Sequence, residues 1–341
     1  MFSLVTGANG FIGSHLTRFL IGRGEQVRVL VRPQSDVRSL AGLSVEFAHA
    51  DLREADSLPP ALGGVQRVYH VAADYRLWAA NPQEIYESNV TGTRNLLSAA
   101  RQAGIDRFIY TSSVGTLVPR HAGRLPDEQT FLRLDDMIGH YKRSKYLAEQ
   151  EALQAARSGQ PVVIVNPTTP VGPGDWKPTP TGRIILDFLN SQIPAYVDTG
   201  LNFVAVEDVA VGHWLAAERG QIGARYILGD RNLTLKQMLE ILSALSGRPM
   251  PRLRLPHAVP FMAALADSLV SRLLRRPPRI PLEGVRLARH KMFVDGSKAK
   301  RELGFQPGSL EAALERAIRW YSKNGYVNNP LGGRATRESA A

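Results

Sequence analysis

Leu4-Val5-Thr6-Gly7-Ala8-Asn9-Gly10-Phe11-Ile12-Gly13-Ser14-His15-Leu16 starts as an apolar strand, turns on glycine, and continues with Phe11, Ile12, Leu16, Phe19 and Leu20 at helical spacing. A strand that passes through a glycine turn into a helix is the setting a dinucleotide fingerprint requires. Gly7 permits the tight turn, Gly10 lets the backbone approach a pyrophosphate, and Gly13 lets the helix lie close on the strand. The phosphates would then sit over the N-terminal turn that holds Phe11 and Ile12, at the positive end of the helix dipole.

Outward from this stretch, strands and helices alternate. Strand-like runs at 2–6, 26–31, 45–49, 67–72, 107–112 and 162–166 are separated by helical patterns at about 11–23, 54–62, 83–103 and 141–157. The order predicts an α/β fold, a Rossmann-like doubly wound parallel sheet with ligands at the carboxyl ends of its strands. The proline- and glycine-rich stretch 166–182 ends the regular pattern and reads as an irregular cover over the cleft. Beyond it, 224–228 reads as a late strand, and 235–245 and 310–321 as amphipathic helices. The expected division is a nucleotide-binding domain over 1–170, to which some later segments return, a smaller C-terminal substrate-binding region over 171–330, and a flexible tail over 331–341.

Composition excludes several chemistries. Without cysteine there are no disulfides, no thiolate nucleophile and no cysteine-held metal, and the eight histidines show no pair at metal-ligand spacing, so no metal is expected. Met1 stands within three residues of the first strand, which leaves no room for a secretory leader, and no run of about 18 apolar residues is present to span a bilayer; a cytoplasmic enzyme is the expectation. The net charge of +11 is concentrated: residues 251–301 hold twelve Lys and Arg against three acids. No helix-turn-helix, zinc or RNA-binding signature accompanies these charges, so nucleic acid is not an expected partner. Within the segment, 257–276 is apolar on one side and basic at its end, which suits peripheral contact with an anionic membrane as well as a helix that closes the substrate domain.

Tyr141-Lys142-Arg143-Ser144-Lys145 places a phenol and an ammonium at i and i+4, on one helix face. Tyrosine titrates near ~10, and a Lys145 cation would lower that value by favouring phenolate. The pair follows Thr111-Ser112-Ser113, hydroxyls at the carboxyl end of a strand where ligands belong. The phenol and ammonium on one face suit proton transfer. His140 adjoins Tyr141 on a different helix face and reads as structural or solvated.

With these residues the chain resembles the extended short-chain dehydrogenase/reductase family, over nearly its whole length. The matching marks are Gly7, Gly10, Gly13, Asp51-Leu52, Ala72-Ala73, Asn89, Ser113, Tyr141 with Lys145, Asp208-Val209-Ala210 and, near the C-terminus, Glu302-Leu303-Gly304-Phe305. The resemblance implies Ser113, Tyr141 and Lys145 as catalytic residues: the tyrosine as acid and base, the lysine binding the nicotinamide ribose and tuning the tyrosine, the serine holding the reacting oxygen. It implies cofactor contacts from Gly7, Gly10, Phe11, Ile12, Gly13, Asp51, Leu52, Ala72, Ala73, Asn89, Tyr141, Lys145 and Pro167. Tyr75, Trp78, Asn166 and Arg183 are the candidate substrate contacts. The stretches 72–78, 136–145 and 177–183 look most like a hopanoid-associated sugar-epimerase group that is itself similar to dihydroflavonol 4-reductases. The family also implies a homodimer built on the helices around Asn89 and Tyr141, with Leu96, Leu97, Leu147 and Leu153 available for the interface or for the sheet.

Two departures from the family's nucleotide-sugar epimerases bear on the reaction. Arg32 ends the second strand where an acid for ribose hydroxyls is usual, which favours NADP while leaving NAD open. Leu201-Asn202-Phe203 stands where many epimerases carry an Arg-Asp-aromatic element, and Asn166-Pro167-Thr168-Thr169-Pro170 looks like the reductase form of its strand end. The sequence therefore reads as an NAD(P)-dependent reductase acting on a secondary alcohol or ketone carbon. A nucleoside-diphosphate-sugar epimerase with bound NAD is the alternative, and a non-catalytic nucleotide sensor a further one.

Overall fold

The computed structural model describes residues 1–118, 124–274, 276, 278 and 282–328; the tail expected at 331–341 lies outside them. Its principal sheet has seven strands: β1 (Phe2–Thr6), β2 (Gln26–Val31), β3 (Glu46–His49), β4 (Arg67–His70), β5 (Arg107–Thr111), β6 (Val162–Pro167) and β10 (Arg225–Leu228). All pair in parallel, in the order β10-β6-β5-β4-β1-β2-β3. The helices α1 (Phe11–Gly22), α2 (Pro59–Leu62), α3 (Gln83–Tyr86), α4 (Gly92–Gln102), α5 (Gly139–Arg157) and α7 (Val206–Arg219) form the crossovers that parallel strands need. Strand order reverses between β1 and β4, which puts the ligand crevice at their carboxyl ends.

Strands covered on both faces carry near-continuous apolar runs. Leu4, Val5, Val29, Val68, Ile109, Val163 and Ile164 have no exposed surface, and Leu16, Leu20, Leu96 and Ala148 close on them from the helices. Leu96 and Leu97 belong to the core under α4, and the partly buried Leu153 packs against the same core. The single helix expected over 83–103 is interrupted by one π-helical turn, Glu87–Thr91, around Asn89. The pattern at 54–62 resolves into a 3-10 turn, Ala55–Ser57, and the short α2, which the Pro59-Pro60 pair starts afresh.

By contacts the chain divides into two compact units. The first comprises 1–168, 207–229 and 294–306, and includes α11 (Ser297–Leu303); the second comprises 169–206, 230–293 and 307 onward. In the second, β7 (Thr169–Val171), β9 (Gly200–Ala205), β11 (Arg231–Thr234) and β13 (Lys291–Met292) form a small sheet centred on β9. β8 (Ala195–Tyr196) pairs with β12 (Leu253–Arg254). The helices are α6 (Pro180–Leu189), α8 (Leu235–Ser246), α9 (Ala258–Leu273), α10 (Leu282–Leu287) and α12 (Leu310–Lys323). Leu186, Phe188, Phe203, Leu239, Leu314 and Tyr321 share its core.

The stretch 166–182 is more ordered than its proline and glycine content implies. β6 runs through Pro167, β7 follows, and Thr179 caps α6 by accepting from Gly182 N at 3.1 Å. Buried Asp175 accepts from Thr179 N and Oγ1, both at 2.8 Å, and from the Tyr321 hydroxyl at 3.1 Å. These bonds fix a loop that local composition reads as irregular. Among the described residues no helix is long and apolar enough to cross a membrane.

Candidate active site

The glycine loop is shaped by close backbone approaches. Gly7 has φ +66°, and a Cβ there would lie 2.6 Å from Ala72 Cα; a Cβ on Gly13 would lie 2.1 Å from the Gly7 carbonyl oxygen. Any side chain at either position displaces backbone. Gly10 precedes α1 in extended conformation, its N–H donating to Gly7 O at 2.9 Å. No side chain caps α1, and its first turn holds no acid. The N–H groups of that turn have no intrahelical partner, so the loop is a cradle fitted to an anionic pyrophosphate.

A buried hydrogen-bonded chain joins this loop to the helix of Tyr141. Ala72 N donates to Thr6 Oγ1 (3.2 Å), which contacts His70 Nδ1 (2.8 Å); His70 Nε2 contacts Thr93 Oγ1 (2.9 Å), which donates to Asn89 O (2.6 Å). Because Thr93 gives its proton to Asn89, its oxygen accepts from Nε2–H, leaving Nδ1 to accept from Thr6. Asn89 Nδ2 donates to Ser144 Oγ and to Asp74 O, each at 2.9 Å, and Ser144 donates to the Tyr141 carbonyl at 2.8 Å. Asn89, expected as a cofactor contact, has both side-chain N–H groups engaged inside the protein.

Ser113, Tyr141 and Lys145 come together at the ends of β5 and α5. Ser113 lies near enough to Tyr141 to favour its phenolate, and burial outweighs that influence, holding the phenol above its ordinary range. The Ser113 hydroxyl accepts from Gly115 N at 3.1 Å. Buried Lys145 donates to Thr111 O at 2.7 Å and lies 4.6 Å over the Tyr110 ring. Burial draws its ammonium down to about 7, with Glu149 opposing. The lowering of the tyrosine expected from Lys145 is therefore not what the site displays: desolvation dominates the phenol, and the lysine is itself only partly charged near neutrality.

Below Ser113 lies a second polar cluster. The buried Glu149 carboxylate accepts from Ser112, from Thr116 Oγ1 (2.8 Å), from Asn166 Nδ2 (2.9 Å) and from Arg225 (3.3 Å). Asn166 Nδ2 also donates to Ser113 O at 3.1 Å. Asn166, expected to face substrate, is fully buried and braces the serine loop instead. His213 does similar service for Thr111, its Nε2 2.9 Å from Thr111 Oγ1 and its Nδ1 2.7 Å from Val209 O. His70, Glu149 and His213 were not singled out from sequence; His70 precedes Ala72-Ala73 by two residues and Glu149 follows Lys145 by one helical turn, the only local signals they carry.

The remaining candidates are distributed around this frame. Arg32 is exposed at the end of β2. Asp51 is engaged by Arg53 (Nε to Oδ1, 3.0 Å), and that bond above all, with a smaller contribution from the Arg32 charge, keeps its carboxyl below the usual range. The Leu52 carbonyl accepts from Asn95 Nδ2 at 2.9 Å, and Pro167 is buried at the end of β6. Tyr75 and Trp78 follow β4 with substantial exposure, as a lining role requires. Arg183 is exposed on α6 of the second unit. His140 contacts the Tyr86 hydroxyl at 3.1 Å, and no cluster of metal-ligating residues occurs among the described residues.

The sequence model of the NAD dependent epimerase/dehydratase family matches residues 3–229. The chain belongs to this family. A Synechocystis sp. protein that bears the provisional name dihydroflavonol 4-reductase is 46% identical over 327 residues, 95% of each chain. Sterol demethylase protein B of Methylococcus capsulatus is 39% identical over 329 residues, 96% of this chain and 100% of that one. The crystal structure of gox2253, 46% identical, superposes with a TM-score of 0.86 over 96% of this chain and 99% of that one. Like the rest of the NAD dependent epimerase/dehydratase family, the protein is an NAD(P)-dependent enzyme of the oxidoreductase/epimerase type.

The two buried imidazoles make the frame acid-sensitive. Burial lowers His70 to about 3 and His213 to about 4, from ordinary values near ~6.5. Between ~6.5 and those values the unfolded chain takes up protons that the folded chain refuses, so stability falls as pH drops, by about 1.4 kcal/mol per pH unit for each imidazole. Denaturant midpoints at pH 7, 6 and 5 are expected to decline progressively; equal midpoints would show that the histidines are not held neutral.

Proposed function

We propose that the protein is an NADPH-dependent reductase that converts a ketone carbon of a lipophilic, isoprenoid-type substrate to a secondary alcohol. The observation that carries the reading is the Tyr141 phenol, near Ser113 and held protonated by burial, which is the state a proton donor to a carbonyl oxygen must have. The reductase name of the Synechocystis relative and the sterol in the name of the Methylococcus relative support the reaction direction and the substrate class.

The glycine loop and the open N-terminus of α1 would hold the pyrophosphate, Lys145 the nicotinamide ribose, and Arg32 the 2′-phosphate that distinguishes NADP from NAD. When bound, the nicotinamide supplies the hydride. Tyr141 gives its proton to the carbonyl oxygen, while Ser113 fixes that oxygen by a hydrogen bond that strengthens as negative charge develops. An epimerase reading, favoured by the family's own description, uses the same tyrosine to remove and return a proton. It predicts purified protein with retained NAD and no net redox turnover, whereas the reductase exchanges free NADPH.

Two substitutions test the assignment. In NADPH oxidation assays with a panel of sterol and terpenoid ketones, Tyr141→Phe is expected to lower kcat by about 10²–10⁴-fold and to leave NADPH affinity near the wild-type value; unchanged turnover would remove Tyr141 from its role. Arg32→Asp is expected to reduce the NADP-over-NAD affinity ratio at least tenfold, about 1.4 kcal/mol. An unaltered ratio would place the 2′-phosphate elsewhere.

A further inference from the structure

α9 is amphipathic in the reverse of the usual sense. On a helix packed against a soluble protein the apolar stripe turns inward and polar residues face water. Here the inward face carries buried Ala264 and Ser271 and half-buried Asp267, which pairs with Arg276 at 2.8 Å. The outward face carries Val259, Met262, Leu265, Leu269, Val270 and, continuing the last turn, Leu274, with exposures from 38% to 64%. At 100° per residue these six positions fall within about one half of the helix circumference, and the residues between them on that face, Ala263 and Ala266, are exposed and also apolar. Among the described side chains of this face none is polar. A contiguous apolar face of this kind marks a site of association.

Charge decides what covers it. Seven of the eleven net positive charges of the chain lie in 251–293, the part of this segment that belongs to the second unit, with nine Lys and Arg against two acids. α10, which packs on α9, carries exposed Arg286, and the guanidinium of exposed Arg289 sits 4.6 Å over the ring of Phe261 on α9 itself. A second copy of this chain would bring the same excess of positive charge against the first, which opposes association through this face. An anionic bilayer meets both features, receiving the apolar side chains at the acyl boundary and the arginines at the headgroups. With sixteen residues the helix is about 24 Å long, shorter than a span, so it would lie in the plane of the interface.

We propose that α9 is a membrane-docking helix that seats the second unit on an anionic lipid surface. The proposal rests on the surface of α9 and its neighbours and stands whether the enzyme is a reductase or an epimerase. It also accounts for how a lipid-dissolved substrate would be reached.

The test is co-sedimentation of the full chain with vesicles of phosphatidylcholine alone and of phosphatidylcholine with phosphatidylglycerol, at low and high salt. Binding to the anionic vesicles is expected, weakened by salt and by omission of phosphatidylglycerol. Met262→Glu with Leu269→Glu should reduce vesicle affinity at least tenfold, and Arg286→Glu with Arg289→Glu should do so chiefly with anionic lipid, each at unchanged melting temperature. Should one pair fail to fold, the other decides alone. Wild-type protein left in the supernatant overturns the proposal, as does equal binding to neutral and anionic vesicles. So does a size-exclusion profile in which wild type is a dimer, Met262→Glu with Leu269→Glu is a monomer, and vesicle binding is the same for both.

Discussion

A buried imidazole that must stay neutral holds the nucleotide loop and the catalytic helix in one frame. His70 accepts at Nδ1 from Thr6, the residue before Gly7, and donates from Nε2 to Thr93, whose hydroxyl continues to the π-helical turn of Asn89. From Asn89 the bonds pass through Ser144 to the backbone of Tyr141. Every group in the chain is buried or nearly so, and each donor or acceptor left unpaired at such a place costs about 1–3 kcal/mol. Shifting β1, β4, the turn of Asn89 or α5 relative to the others breaks at least one of these bonds. The π turn itself follows from the same requirement, since it sets Asn89 where its amide reaches both Asp74 and Ser144.

Around this frame the chemistry depends on burial more than on pairing. Desolvation holds Tyr141 in its protonated form and draws the Lys145 ammonium down to about 7, against the pull of Glu149. The Glu149 carboxylate is itself reached by two hydroxyls, an amide and a guanidinium, which satisfies a buried charge that would otherwise be prohibitive. The outcome is a proton donor beside a hydroxyl at the carboxyl edge of a parallel sheet, next to a loop shaped for a dinucleotide. That combination is what hydride transfer at a carbonyl or secondary alcohol carbon requires.

The parts of this arrangement that local pattern encodes were legible beforehand. Glycine spacing, the apolar runs of β1, β2, β5 and β6 and the i, i+4 pair of Tyr141 and Lys145 all depend on neighbours within one turn or strand, and they stand where the pattern placed them. The frame was not legible, because its bonds join residues far apart in the chain: Thr6 to His70 spans 64 positions, Asn89 to Ser144 spans 55, and Ser112 to Glu149 spans 37. Asn166 read as a substrate contact for the same reason, since nothing near it announces Glu149. The direction of the Tyr141 shift went unread because a charged neighbour is visible in sequence and desolvation is not. In the second unit β7 sits among prolines and glycines, β13 is only two residues long, and both pair with β9.

The neutral, bridging state of His70 is open to direct observation by ¹⁵N NMR of the histidine side chains, with the resonance assigned through a His70→Gln variant. The frame described above predicts a protonated Nε2 and an unprotonated Nδ1 for this ring, unchanged from pH 8 to pH 5. A His70 ring that titrates near ~6.5, or that carries its proton on Nδ1, would contradict it.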